Sequence, residues 1–258
     1  MGSRFASFRA SFEETDLWVG VDPASYSDRM EDFAATLARR LRLTLDAYIA
    51  RRPEFRTSLA PISSDRGAPA VAAAMIEAAR LAGVGPMAAV AGAVADFVGE
   101  ALASEFGCRE LAVENGGDLW LRFEESLDIS VFAGDSPLSE KVGVSISPSY
   151  SPLGLCTSSG TVGPSLSLGR ADAAMVACRA ISSAHVGFGP AALAGPVALA
   201  GPAALADAWA TAVGNAVETE ADIEAAISLA DGKERVVSVL VVKGGRMGIR
   251  GELPLRLF

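Results

Sequence analysis

The chain is short of most groups that carry familiar chemistry. It has three cysteines, Cys108, Cys156 and Cys178. An odd, widely spaced set is no disulfide framework, and the absence of a CxxC pair removes the usual zinc sites. Histidine occurs once, at His185, and aromatics make up only 7% of the residues. Basic residues are outnumbered, 22 Lys and Arg against 31 Asp and Glu, for a net charge of −9. Nucleic-acid binding and polybasic membrane attachment both need clustered cations, so neither is expected. The first residues, MGSRFASFRASFEETD, contain no apolar signal core, and Ala6 stands where a myristoylation motif needs Ser or Thr. A reducing, cytoplasmic setting is the expectation. There is no GxGxxG fingerprint for a dinucleotide and no GxSxG elbow for a serine hydrolase.

Half of the residues are hydrophobic. A length of 258 residues suits one domain, or two intimately packed halves. With so few aromatics, the core must be built from Ala, Val, Leu and Ile. The abundance of Ala and Val is compatible with a homodimer.

Periodicity predicts helices over 27–50, 68–82 and 86–106. In the first, Phe33, Leu37, Leu41, Leu45 and Tyr48 fall near one face. Pro53 ends that helix, Gly83 stops the second, and Pro86 opens the third. Short strands are predicted at 18–21, 110–114, 119–123, 127–132, 141–147 and 236–242, the last leading into a Gly244-Gly245 hairpin returning over 247–249. Later helices start at Pro202 and span about 220–229. Closely spaced strands after helices imply an α/β chain of the α+β kind, with an antiparallel or mixed sheet. Residues 189–206 repeat a hexamer, GPAALA, GPVALA, GPAALA. This is too short for a solenoid and reads as an insertion in a loop.

Four segments carry candidate chemistry. In ADAWATA, Asp207 and Thr211 are four apart on a helix, so both oxygens project from one face. A carboxylate and a hydroxyl are hard donors of the kind Mg²⁺ takes, although such a pair is more often a solvated or capping pair. The turn Asn115-Gly116-Gly117-Asp118 is either an ordinary hairpin bend or a place where backbone approaches a ligand. The run Cys156-Thr157-Ser158-Ser159-Gly160-Thr161 offers N–H groups and hydroxyls to a phosphate, or is a plain Ser-rich loop. Ser159 paired with His185 as a hydrolase is disfavoured for want of the elbow. Finally, GVGPMAAVAG at 83–92 leads into a helix N-terminus that favours anions, or serves tight helix packing.

Taken in order, these segments resemble the ApbE-like superfamily, whose best-known members are FAD:protein FMN transferases. The resemblance covers residues 80–217. It is closest to a poorly characterised branch in which VENGGD, CTSSGT and GRADA occur as here. It implies a duplicated sheet-and-helix core with a central ligand cleft, binding FAD and Mg²⁺. Asp207 and Thr211 match the family's metal-binding Asp and Thr, and Ala88, reached through the Gly85 to Val90 helix start, would add a backbone oxygen. Asp207 would also assist proton removal. Gly116, Gly117 and Asp118, with Asn115, match the flavin-side turn; Thr157, Ser158, Ser159 and Gly160 match the TSG loop. Two features depart from the pattern. Ala89 falls where transferases carry Lys, and Thr161 to Asp172 replaces a His-Ile-x-Asp-Pro segment. The resemblance therefore implies FMN transfer from FAD to a Thr or Ser of an acceptor protein. The alternatives are a flavin or nucleotide holder without turnover, and a scaffold acting on another phosphorylated ligand.

Overall fold

The structure, a computed structural model, describes residues 4–162, 168–181 and 200–258. His185 and residues 189–199 of the repeat lie outside them.

The chain opens with a hairpin, β1 (Ala6–Phe12) and β2 (Thr15–Val21). β1 was not among the predicted strands. Its signal is a plain alternation: Phe8 and Ala10 are buried between exposed Ser7, Arg9 and Ser11. Helix α1 (Arg29–Arg51) follows. Its inward stripe is Met30, Ala34, Ala38, Leu41, Leu45 and Tyr48. Phe33 and Leu37, predicted on that face, sit at its partly buried edge. The small alanines take the contact line because they let the helix lie close to its neighbours.

After the single turn α2 (Glu54–Thr57) come α3 (Ala70–Ala82), closed by left-handed Gly83, and a 3₁₀ turn at Pro86–Ala89 that runs into α4 (Val90–Phe106). Five strands follow: β3 (Leu111–Asn115), β4 (Asp118–Arg122), β5 (Leu127–Ser130), β6 (Val142–Ile146) and β7 (Leu153–Ser158). Then come β8 (Ala173–Arg179), α5 (Pro202–Asn215), α6 (Ile223–Ala230), β9 (Val236–Lys243), β10 (Arg246–Gly251) and β11 (Leu255–Leu257). β7, β8 and β11 were not predicted as strands.

Eight strands form one antiparallel sheet in the order β1-β2-β3-β4-β7-β8-β9-β10. A second sheet, β11-β6-β5, covers one face of it, and the helices cover the other. The central strands are therefore buried on both sides. In β9, Val239 and Val241 join the helix-side core while Leu240 and Val242 join the core under the small sheet. That double burial is why β9 reads as an unbroken apolar run.

α5 lies in the middle of the helix layer, against α3, α4, β7 and β8. Twelve of its fourteen residues are buried, so it has no solvent face to be polar on. Its alanines allow that enclosure, and glycines on its neighbours complete it. A Cβ on Gly92 would stand 2.3 Å from the Ala203 carbonyl oxygen, and one on Gly154 would stand 2.2 Å from that of Pro202. The last hexamer of the repeat, Gly201 to Ala206, is the entry and first turn of this helix. The 3₁₀ turn and α4 together form the one described stretch long and apolar enough to cross a membrane. It is a core helix, mostly buried and carrying Asp96.

Candidate functional site

α4 and α5 run antiparallel and cap each other's N-termini through buried carboxylates. Asp207, on α5, accepts the Gly92 N–H with Oδ2 at 3.0 Å, in the first turn of α4. Asp96, one turn further along α4, accepts the Ala203 and Ala204 N–H groups at 2.9 and 2.8 Å, in the first turn of α5. Each helix start thereby meets carboxylate oxygens where its unpaired N–H groups and dipole favour negative charge. Burial works against ionisation. It pushes Asp96 up to about 7, opposed by those two N–H groups and by Arg235. It also pushes Asp207 up to about 7, opposed by the N–H groups of Gly92 and Ala91.

Beside Asp207 stands the β3–β4 bend. Gly116 and Gly117 are exposed and take φ of 65° and 101°, which side chains other than glycine resist. Asn115 and Asp118 flank them as a cross-strand pair. Asn115 Nδ2 donates to the Ala91 carbonyl at 3.1 Å, adjoining the peptide that serves Asp207. Asp118 is buried, and its Oδ1 has no hydrogen-bond partner. Burial first, and the Asp207 charge second, raise it well above the usual carboxylate range. The Cys156 thiol and the Thr157 N–H act the other way. Cys156 is the register partner of Asp118 on β7, and its Sγ lies 3.3 Å from the Ala203 carbonyl oxygen on α5. Neither Asp118 nor Asp207 has an ion-pair partner among the described residues.

The structure thus gathers Asn115, Asp118 and Asp207 at one end of the helix–sheet interface. Thr211 follows one turn after Asp207 on α5 and is buried. Ala88 is buried in the 3₁₀ turn, which packs on α5, and the Gly85 carbonyl accepts its N–H at 3.1 Å. Ala89, set by the sequence resemblance against the transferases' Lys, is wholly enclosed.

The hydroxyl run divides. Cys156 to Ser158 belong to β7 rather than to a loop. Strand alternation puts Cys156 and buried Ser158 toward the helices and Thr157 toward the small sheet, so only the backbone of Thr157 addresses Asp118. Ser159 spends its hydroxyl locally, accepting from Thr161 N at 3.1 Å and Val162 N at 3.0 Å. That geometry makes it a turn former, and His185 is outside the described residues. Gly160 abuts Gly169, and Gly169 abuts Gly214 of α5, each too close for a side chain. The loop is thereby tied to the far end of the Asp207 helix.

A separate cleft of about 550 Å³ opens next to that loop, lined by Gly134, Asp135, Ser136, Thr161, Val162 and Asp172. Asp172 is its anchor, accepting from Gly244 N at 2.6 Å, Lys243 Nζ at 3.3 Å and Thr161 Oγ1 at 3.2 Å. Asp96 and Cys156 were missed as candidates. Asp96 had a legible signal, a charge set between Ala95 and Phe97 in the apolar first half of its helix, ahead of Glu100 and Glu105; Cys156 had none beyond its adjacency to the Thr-Ser-Ser run.

The family model described as AbpE bacteria matches residues 2–188. This chain belongs to that family. Among its relatives are the UPF0280 protein of Methanococcus aeolicus, 36% identical over 250 residues, covering 95% of this chain and 90% of the relative. The UPF0280 protein of Methanothrix thermoacetophila is 37% identical over 214 residues, covering 83% and 80%. Among solved structures, the apo flavinyl transferase ApbE of Pseudomonas stutzeri superposes with a TM-score of 0.50 over 95% of this chain and 93% of its own, at 11% identity. At that identity the shared property is the fold: a mixed helix and antiparallel sheet scaffold of the ApbE kind.

Proposed function

We propose that this AbpE-family chain binds FAD with Mg²⁺ and transfers FMN from it to a Thr or Ser hydroxyl of an acceptor protein. The observation that carries the reading is the buried oxygen cluster. Asp207 and Thr211 share one side of α5, beside a second carboxylate whose Oδ1 has no partner. Among the described residues no three His, Cys, Asp or Glu side chains form a metal cluster. A site with two carboxylates, a hydroxyl and backbone oxygen instead suits Mg²⁺, which keeps positions for water and substrate phosphate. Bound there, such an ion would supply electrostatic stabilisation to a pyrophosphate group. Asp207 and Thr211 would hold it, with the Ala88 carbonyl, and Asp207 would assist removal of the hydroxyl proton. Oxygen of the hydroxyl bonds to the FMN phosphorus, the pyrophosphate bond breaks, and AMP leaves. The Gly116-Gly117 bend and the Ser159-Gly160 loop offer exposed backbone to the flavin and its phosphates.

A second reading is favoured by Ala89. It is apolar and enclosed, and among the described residues no cation pairs with either carboxylate. Removing a positive group from a phosphoryl-transfer site forfeits transition-state stabilisation, commonly about 3 kcal/mol or more. The chain would then hold FAD without cleaving it. Incubation with FAD, Mg²⁺ and an acceptor protein with an exposed Thr separates the two. AMP release that vanishes with chelator and with Asp207→Asn supports transfer. Quenched flavin fluorescence with no AMP supports the holder. Flavin emission unchanged by the protein rejects both.

A further inference from the structure

We propose that Asp118 is itself a ligand of the divalent cation, which it shares with Asp207, so that the ion ties the β3–β4 bend to helix α5. The inference rests on the reading of Asp207 as a cation ligand. It gives Asp118 a role distinct from lining the flavin side of the bend.

Three observations converge. First, Asp118 Oδ1 is one of only two buried side-chain polar atoms without a partner among the described residues. An unsatisfied carboxylate oxygen in the interior is costly and points to a missing partner. Second, the backbone aims it at α5. It lies on the helix-side face of β4 with Trp120, and its register partner Cys156 touches the Ala203 carbonyl of α5. Its cross-strand partner Asn115 holds the carbonyl of Ala91, the residue next to Gly92, whose N–H binds Asp207. Third, the two carboxylates act on each other as like charges, with no Lys or Arg among the described residues paired to either.

Two interior carboxylates side by side must be neutralised, by a shared proton or by a cation. Asp207 already has its N–H donor, so the orphaned Asp118 oxygen beside it is the one left to take the cation. The other unpartnered atom, Trp120 Nε1, is a donor and does not compete for it.

The test uses Mn²⁺ alone, counted by electron paramagnetic resonance, together with thermal melts, on wild type, Asp118→Asn and Asp207→Asn. The expected result has two parts. Asp118→Asn weakens Mn²⁺ binding at least tenfold. Without the metal it melts at or above the wild-type temperature, because the repulsion is gone, and it loses the wild type's rise on adding Mn²⁺. A purely structural Asp118 would instead lower the melting temperature and leave the metal response intact. Mn²⁺ affinity of Asp118→Asn within twofold of wild type, while Asp207→Asn loses it, overturns the Asp118 assignment alone. Wild type that takes up no Mn²⁺ overturns this and the reading of Asp207 together. Should Asp118→Asn fail to fold by circular dichroism, Asp118→Ser gives the same comparison.

Discussion

Asp96 sets the character of this interior. It is an enclosed carboxylate on a mostly apolar helix, held by two N–H groups of the neighbouring helix and pushed toward neutrality by burial. A group whose folded pKa is raised binds its proton in the native state while the unfolded chain has lost it. The slope of stability with pH is then negative. With about 7 in the folded state and 3.8 unfolded, the stabilisation is complete below pH 4 and lost as pH rises toward 7. The span is at most about 4 kcal/mol. Urea titrations of the metal-free protein from pH 4 to 8 should show stability falling across that window. Asp96→Asn should flatten the fall, and a slope unchanged in the variant would show that Asp96 is already ionised at low pH. Residue-level reading of the sequence stopped short here. Asp207 and Thr211 could be paired by their spacing of four, but Asp96 has its partners on another helix, 107 and 108 positions away.

At the scale of the element, the helices were legible and their inward faces only partly so. The predicted 27–50 helix is α1, at Arg29–Arg51. Hydrophobicity alone put Phe33 and Leu37 on the face where the fold uses Ala34 and Ala38. Leu41 is wholly buried and Leu43 about half exposed, at 51%. Leu41→Ala should cost about 2–5 kcal/mol in denaturant unfolding, against roughly 0.5 kcal/mol or less for Leu43→Ala. Equal costs would mean that the stripe is misplaced. Strands β7 and β8 escaped prediction for a related reason. Small residues such as Gly154, Cys156 and Ala174 lie on the helix side against α5, and composition gives them weak strand character.

For the whole molecule, charge is the property that any anionic ligand meets first. The net charge of −9 repels FAD at long range. Under the proposed function, added salt should screen that repulsion and raise the FAD association rate, the reverse of the usual behaviour of nucleotide-binding proteins with basic clefts. Stopped-flow quenching of flavin fluorescence between about 20 and 200 mM salt, a range over which the Debye length falls from roughly 20 Å to less than 10 Å, measures it. A rate that falls with salt would place a basic patch at the entrance.

What the sequence determined by itself is local and periodic: which segments are helical, where glycine turns the chain, that the strands are short and consecutive, and that Asp207 and Thr211 share a helix face. Those features depend on neighbours within a few residues, which the sequence displays directly. The tertiary structure alone decided the rest. It closed eight strands into one antiparallel sheet, enclosed α5 on every side, and set Asp118 beside Asp207 with an oxygen unpartnered. Burial and through-space charge depend on residues brought together from some ninety positions apart, and no local pattern in a single chain records that approach.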